Sequence, residues 1–194
     1  MNSSQNRDTL YAVYRDSRSV ITPATIAMLT GETNSNSLNV KLSSYVCKNK
    51  LLRLRKGIYA KPEYNPEELA CTLYTPSYIS LEYVLQSAGI IFQYYESITS
   101  VSYLSRTIQI NDKNYSYRRI KDEIIINTDG IIRHDNINIA TPERAFLDML
   151  YLEGKDCFDN IHPLDKMLVC RLLHVYNSKT LSAMVNKLFK NEYK

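Results

Sequence analysis

The sequence lacks the cysteine, histidine and glycine patterns that mark most metal, disulfide and nucleotide sites. No C-x-x-C pair occurs, which argues against a zinc ribbon and a disulfide framework; the four cysteines are Cys47, Cys71, Cys157 and Cys170. The sequence also lacks four motifs of catalytic or nucleotide-binding sites: H-E-x-x-H, the P-loop, G-x-S-x-G, and the Gly-Ser followed by paired aspartates of a nucleotidyltransferase. We therefore expect reduced thiols, no metal, no cofactor and no catalytic residue.

Two weaker catalytic candidates are treated as ordinary residues. The three histidines are too far apart in the sequence to form a metal motif. Asp156 and Asp159 lie near His162, but in a loop-like stretch that has no companion motif. We expect the protein not to be an enzyme.

Long apolar runs are scarce as well. No segment approaches the roughly 18 uninterrupted apolar residues of a membrane-spanning helix. The start, MNSSQNRDTLYAVY, has no basic region followed by an apolar one, so it does not resemble a secretory signal. With 44% hydrophobic and 23% charged residues, the composition is that of a globular protein. We expect a cytoplasmic protein with no membrane partner.

Charge is distributed unevenly along the chain, although the formal net charge is only +4. Residues 1–62 contain ten Lys or Arg and three Asp or Glu, a balance of +7, whereas residues 63–194 contain 14 and 17, a balance of −3. KPEYNP, at the change of sign, favours an extended connector. We expect two domains, 1–62 and 63–194, the first of which meets a polyanion.

Three helical patterns occupy the basic segment. DTLYAVYRDS has apolar residues at helical spacing. In ITPATIAMLTG, Thr22 is the expected N-cap, Pro23 the first helical residue and Gly31 the stop. NSNSLNVKLSSYVCKNK places Leu38 and Leu42 on one buried face and leaves most of its polar residues outside.

A basic hairpin follows these helices in LLRLRKGIYAKP. LLRLR alternates leucine with arginine as a half-buried strand does, KG supplies the turn, and GIYAK returns as the partner strand. Three helices followed by a hairpin predict a winged helix-turn-helix, in which the third helix enters the major groove of DNA.

The polar face of the third helix suits base contacts, since Asn can pair with adenine and Ser can donate or accept. The basic hairpin suits phosphate contacts. The expected DNA-binding residues are Asn36, Ser37, Asn39, Lys41, Ser44, Lys48, Arg53, Arg55 and Lys56. A winged helix that only contacts protein, with solvated arginines, remains the alternative.

The remainder of the chain predicts a mixed domain, so that the whole fold is α+β. Short helices precede residues 97–140, which are rich in Ile, Tyr and Val and predict several antiparallel strands. TPERAFLDMLYL predicts a helix that begins after Thr141, with Arg144 and Asp148 as a surface ion pair worth a few tenths of a kcal/mol. Two more amphipathic helices follow.

Sixteen tyrosines leave a second nucleic-acid hypothesis open. Several lie near basic residues in the strand-rich region, where they could stack single-stranded DNA or RNA bases; they are Tyr94, Tyr95, Tyr103, Tyr115 and Tyr117. Tyrosine also suits half-buried strands for reasons unrelated to ligands.

Three segments in order resemble AbiEi-type antitoxins of bacterial abortive-infection and type IV toxin–antitoxin systems. They are KGIYAKP, YISLEYVLQSAGI (78–90) and TPERAFLDMLYL (141–152), and the resemblance spans roughly residues 20–152. It implies an N-terminal winged helix that binds its own promoter and represses its operon. It also implies a C-terminal domain that counters a nucleotidyltransferase-like toxin, without a need for direct contact.

The expected function is therefore that of a DNA-binding transcriptional autorepressor and antitoxin in phage defence. A winged-helix regulator without a toxin partner, or a nucleic-acid or protein interaction module, is the alternative.

Overall fold

The computed structural model describes residues 5–154 and 158–191, and the chain divides into two compact units. Unit 1 comprises residues 1–73 and unit 2 comprises residues 74–194. The described part of each unit contains helices and its own β-sheet. The fold is therefore α+β, as the sequence predicts.

Helices and short strands alternate along unit 1. Their order is α1 (Gln5–Arg15), β1 (Val20–Ile21), α2 (Pro23–Thr30), α3 (Ser35–Cys47), β2 (Leu52–Arg55), β3 (Ile58–Ala60) and α4 (Pro66–Leu73). β3 pairs antiparallel with both β1 and β2 and lies between them. The sequence predicts only the β2–β3 hairpin, because β1 has two residues and is too short to show an alternating pattern.

The ends of α2 follow from three residues that the sequence singles out. The Oγ1 atom of Thr22 accepts a hydrogen bond from the backbone N–H of Thr25 at 3.2 Å, and Pro23 is the first helical residue. Gly31 ends the helix in the left-handed conformation, with φ of 68°. These three predictions are confirmed.

α3 begins at a cap of its own and is held by an apolar inner face. The Asn34 side chain accepts hydrogen bonds from the backbone N–H groups of Asn36 and Ser37 at 3.0 and 3.1 Å. Leu38 and Leu42 are buried on the inner side, as predicted. The buried core around them consists of Val13, Ile21, Ile26, Leu38, Leu42, Leu51 and Tyr59.

The β2–β3 hairpin follows α3 after a tight connection. The Tyr14 hydroxyl donates to the carbonyl oxygen of Lys50 at 2.7 Å, which fixes this connection against α1. Along β2 the leucines are partly buried and the arginines exposed, as the alternating sequence predicts. Gly57 makes the turn with φ of 78°, a conformation that favours glycine.

α4 belongs to unit 1 in the structure. Its residue Glu68 is buried, and one carboxylate oxygen accepts hydrogen bonds from the backbone N–H and the hydroxyl of Ser19, at 2.8 and 2.5 Å. The sequence-based division at residue 62 instead assigns this helix to the second domain. The difference arises because the contact joins residues 49 positions apart, which periodicity does not reveal.

Unit 2 is built around a six-stranded sheet in its described residues. Its elements are β4 (Ser77–Ile79), α5 (Glu82–Ser87), β5 (Ile98–Ser102), β6 (Arg106–Ile110), β7 (Lys113–Arg119), α6 (Asp122–Ile126), β8 (Ile131–His134), β9 (Ile137–Ala140), α7 (Pro142–Glu153), α8 (Lys166–Leu172), a 3₁₀-helix (Leu173–Tyr176) and α9 (Lys179–Asn191). The strand order is β6-β7-β5-β4-β9-β8.

The sheet of unit 2 is mixed, whereas the sequence predicts antiparallel strands over residues 97–140. β4 pairs parallel with β9, and β5 pairs parallel with β7. The β6–β7 and β8–β9 hairpins are antiparallel. The turn signal NDKN lies at the β6–β7 turn, whereas NTDG precedes β8, and the β8–β9 hairpin turns at residues 135 and 136. The sequence therefore marks one of the two hairpins, and it does not indicate that β7 lies between β5 and β6, which gives the parallel pair.

Candidate nucleic-acid interface

The outward side of α3 carries several of the predicted DNA-binding residues. Asn36 and Asn39 are exposed, and Ser44 is partly exposed. Lys48 is exposed and follows the helix as its C-cap residue. These side chains are therefore accessible to a ligand that approaches α3 from outside the core.

Ser37 and Lys41, which are also predicted to contact DNA, are engaged with the loop before α3. The Nζ atom of Lys41 lies 2.8 Å from Oε2 of Glu32, and the Ser37 hydroxyl donates to the same oxygen at 3.3 Å. The hydrogen bond from Lys41, together with one from the backbone N–H of Asn34, holds the pKa of Glu32 below its ordinary value. In the free protein both side chains therefore stabilise the start of α3.

The hairpin and the connection before it present a group of exposed cations. All of them fall within residues 48–56: Lys48, Lys50, Arg53, Arg55 and Lys56. We call this group the basic segment. Cations at the tip of a short hairpin are suited to phosphate oxygens, since they can extend from a fixed backbone into solvent.

Two other cations of unit 1 are used within the protein. Arg18 makes a two-pronged ion pair with Asp16, with nitrogen–oxygen distances of 2.6 and 2.7 Å. The ammonium of Lys61 donates to the carbonyl oxygen of Asp16 at 2.7 Å. The hydrogen bond from Arg18 lowers the pKa of Asp16, although partial burial opposes it. Arg15 is exposed as well, but the five exposed cations of the basic segment lie within nine residues of one another.

Val40 and Ser43 are exposed on α3 but absent from the predicted set. The signal that finds them is helical spacing, because Asn36, Val40, Ser43 and Cys47 are separated by four, three and four residues and so lie on one side of the helix. All four are exposed, and Val40 is 71% exposed. We call these four residues the outer stripe of α3.

The structural division changes the charge balance of the two units. Unit 1 contains ten Lys or Arg and six Asp or Glu, which gives +4, because α4 and the residues before it add three glutamates. Unit 2 contains 14 of each, which gives 0. The whole formal charge of the chain therefore lies in unit 1, although the contrast is smaller than the predicted division suggests.

Unit 2 contains a buried polar network where the sequence predicts a surface ion pair. The side chains of Arg144 and Asp148 are both 0% exposed, with Nε and Oδ1 3.4 Å apart. Asp148 also accepts hydrogen bonds from the hydroxyls of Tyr78, Ser80 and Tyr176 at 3.1, 2.8 and 2.7 Å. The prediction of an exposed pair is wrong, because this side of α7 packs onto β4 and the 3₁₀-helix.

The guanidinium of Arg144 is also fixed by backbone groups. It donates to the carbonyl oxygens of Asp129 and Ile124 at 2.7 and 2.8 Å. Gly130 has φ of 73°, and a Cβ atom there would lie 2.9 Å from Cβ of Arg144. The loop before β8 can therefore approach α7 only with glycine at this position, and the resulting network is closed to solvent.

The tyrosine platform is not present in the form that the sequence suggests. Tyr115 and Tyr117 are 0% and 1% exposed, and Tyr117 makes an edge contact with Tyr74 at 4.8 Å between ring centroids. Tyr94 and Tyr103 remain exposed. Two of the five proposed stacking residues are thus core residues, and they cannot stack on bases.

The described residues contain no cluster of side chains suited to a metal ion. Within 5–154 and 158–191, no three His, Cys, Asp or Glu side chains are grouped so that they could hold a metal ion. Asp159 accepts a hydrogen bond from the backbone N–H of Phe92 at 2.8 Å, while Asp156 lies outside the described residues.

Two further expectations concern thiols and membranes. Cys47, Cys71 and Cys170 take part in no disulfide among the described residues, and Cys157 lies outside them. None of the helices in the described part of the chain combines the length and apolarity that a bilayer crossing requires.

No protein-family model matches the chain, and no curated protein matches it. The resemblance to AbiEi-type antitoxins therefore stays a prediction from the three sequence segments.

Proposed function

We propose that unit 1 is a winged helix-turn-helix domain that binds double-stranded DNA. In this arrangement α3 lies in the major groove and the β2–β3 hairpin is the wing beside it. One observation carries the proposal: the uncharged outer stripe of α3 is followed at once by the five exposed cations of the basic segment. The order of helices and strands and the β1-β3-β2 sheet support it.

The two surfaces would divide the work of binding. Cations neutralise phosphates and release counterions, which gives affinity without sequence preference. Polar and apolar groups in the major groove contact base edges and give specificity. The proposal needs no cofactor and no catalytic residue.

The first test is the salt dependence of DNA binding by the full chain. Fluorescence anisotropy with labelled duplex DNA from the region upstream of its own gene should show affinity that falls with salt. If each cation of the basic segment contacts one phosphate, the slope of log K against log salt is about −4.5. Affinity should then fall about 500-fold between about 50 and 200 mM salt.

A pair of double variants locates the phosphate contacts. Arg53→Ala with Lys56→Ala should make the slope shallower by about two units. Arg133→Ala with Lys187→Ala, which removes one exposed arginine and one exposed lysine from unit 2, should leave the slope unchanged. An equal change in both pairs, or no DNA binding by the unaltered chain, contradicts the proposal and favours a protein-contact role for unit 1.

We further propose that the chain represses its own promoter and acts in the cytoplasm as an antitoxin against a nucleotidyltransferase-like toxin. The three segments that resemble AbiEi-type antitoxins support this part. The test is co-expression with a nucleotidyltransferase-like protein encoded beside it, with cell growth as the readout. For this test the chain is expressed from an unrelated promoter. If it does not relieve the growth arrest, the antitoxin proposal fails and the alternative, a regulator without a toxin partner, is favoured.

A further inference from the structure

We propose that the outer stripe of α3 reads A·T base pairs, with Val40 against the 5-methyl group of a thymine. This inference rests on the proposed DNA-binding function and names the bases that the site selects. The stripe is exposed along its whole length and has no charged member; its residues are Asn36, Val40, Ser43 and Cys47.

Val40 occupies the middle of the face that points away from the core. At about 100° per residue, it lies roughly 180° from the mean direction of Leu38 and Leu42. The two leucines are 3% and 0% exposed, whereas Val40 is 71% exposed. Valine is a poorer helix former than alanine and gains nothing from the core at this position. An apolar group on a partner would therefore give this side chain a contact that the core does not.

The chemistry of the stripe matches adenine and thymine. Thymine is the base that presents a methyl group in the major groove, and apolar side chains contact it there. The amides of Asn36 and the adjacent Asn39 suit the N7 and N6 atoms of adenine. Guanine is read mainly by Arg or Lys and cytosine by Asp or Glu, and the stripe has none of these.

The nearest charged side chain on α3 does not alter this match. Lys41 is on the flank of the helix, and its ammonium lies 2.8 Å from Glu32. The partner that contacts the stripe is DNA rather than a protein, because the five cations of the basic segment follow α3 directly and favour a polyanion. Such a group complements the phosphates beside a groove.

The experiment uses the full chain and the upstream duplex that it binds in the salt titration. Each thymine of this duplex is replaced in turn by deoxyuridine, which removes only the 5-methyl group. We expect the affinity to fall about 3- to 10-fold at one or two positions, as the loss of one buried methyl contact implies. Replacing adenine by 7-deazaadenine beside such a position should lower affinity about 5- to 100-fold.

The variant Val40→Ala assigns the methyl contact to its residue. Alanine favours the helix, so the fold is retained, which far-UV circular dichroism checks. This variant should lose about 3- to 10-fold in affinity, should keep the salt slope, and should no longer distinguish thymine from deoxyuridine. Met28→Ala, which removes an 87% exposed apolar side chain from α2, should retain the full sensitivity to deoxyuridine.

The outcomes separate this inference from the proposed function. Salt-dependent binding without loss at any deoxyuridine overturns the thymine contact and leaves DNA binding standing. A loss at deoxyuridine that persists in Val40→Ala assigns the methyl group to another residue and also overturns it. If the unaltered chain binds no duplex, both proposals fail.

Discussion

Replacing Asp148 by asparagine should destabilise unit 2 far more than the loss of an ordinary helix ion pair does. The amide keeps the size of the side chain but removes its charge, so that Arg144 is left buried without its counter-charge. In the native protein the hydroxyls of Tyr78, Ser80 and Tyr176 donate to the Asp148 carboxylate. The asparagine would place an NH₂ group, which is itself a donor, against some of these hydroxyls.

The magnitude follows from the burial of both partners. An exposed pair at i and i+4 stabilises by about 0.3–0.5 kcal/mol. Breaking a fully buried pair by removing one partner costs about 3–5 kcal/mol, because the remaining charge stays desolvated. Burial also raises the pKa of Asp148, although the charge of Arg144 opposes this shift. We therefore expect Asp148→Asn to lose about 3–5 kcal/mol of the free energy of unfolding.

Urea unfolding at neutral pH measures this loss. The chain has no tryptophan and 16 tyrosines, so tyrosine fluorescence and far-UV circular dichroism are the signals. With a slope of about 2 kcal/mol per molar urea, the midpoint of the unit 2 transition should fall by about 2 M. The double variant Arg144→Met with Asp148→Leu should lose less than Asp148→Asn, since it leaves no buried charge.

An exposed ion pair of the same unit supplies the control. Arg118 and Glu153 form a pair in which the side chains are 38% and 34% exposed. Glu153→Gln should cost less than about 1 kcal/mol. Two results would refute the reasoning from burial. The first is that Asp148→Asn lowers the free energy of unfolding no more than Glu153→Gln does. The second is that the double variant Arg144→Met with Asp148→Leu lowers it more than Asp148→Asn does.

Two further predictions concern unit 1. The pKa of Asp16 is lowered in the fold, so its ionised form stabilises unit 1 above the unfolded-state pKa, and this stabilisation is lost as the pH falls through the lower folded-state pKa. Asp16→Asn should therefore flatten the fall in urea midpoint between pH 7 and about pH 3, and an unchanged fall would remove Asp16 as its source. A fragment of residues 1–73 should melt at a higher temperature than one of residues 1–62, because only the longer one retains the Glu68 carboxylate that binds Ser19. Equal melting temperatures by circular dichroism would contradict that role of α4.

Local signals account for what the sequence predicts well in unit 1. Thr22, Pro23 and Gly31 define α2 through interactions within a few residues, and the same is true of Gly57 in the hairpin. The capping residue Asn34 uses the same chemistry but is surrounded by other Asn and Ser residues, so that the sequence does not distinguish it. What the sequence misses is non-local, such as the contact between Ser19 and Glu68.

The same distinction explains the errors in unit 2. Spacing of four residues identifies Arg144 and Asp148 as neighbours on a helix, but it does not reveal what packs over them. Their partners, Tyr78 and Tyr176, lie 66 and 28 residues away in the pairs that bind them. The candidate site shows the converse case: helical spacing is enough to place Val40 on the outer side of α3, although the predicted set omits it because that set contains only polar and basic residues.

The buried network also joins two of the three sequence segments that resemble AbiEi-type antitoxins. Tyr78 and Ser80 come from the segment 78–90, and Arg144 and Asp148 come from the segment 141–152. These residues are buried and bind one another, so the two segments share a role in the architecture of unit 2. The proposed role in countering a toxin instead requires accessible side chains. Variants designed to separate that activity from folding should therefore alter exposed aromatic residues; these are Phe92, Tyr94 and Tyr103, at 70%, 72% and 42% exposure.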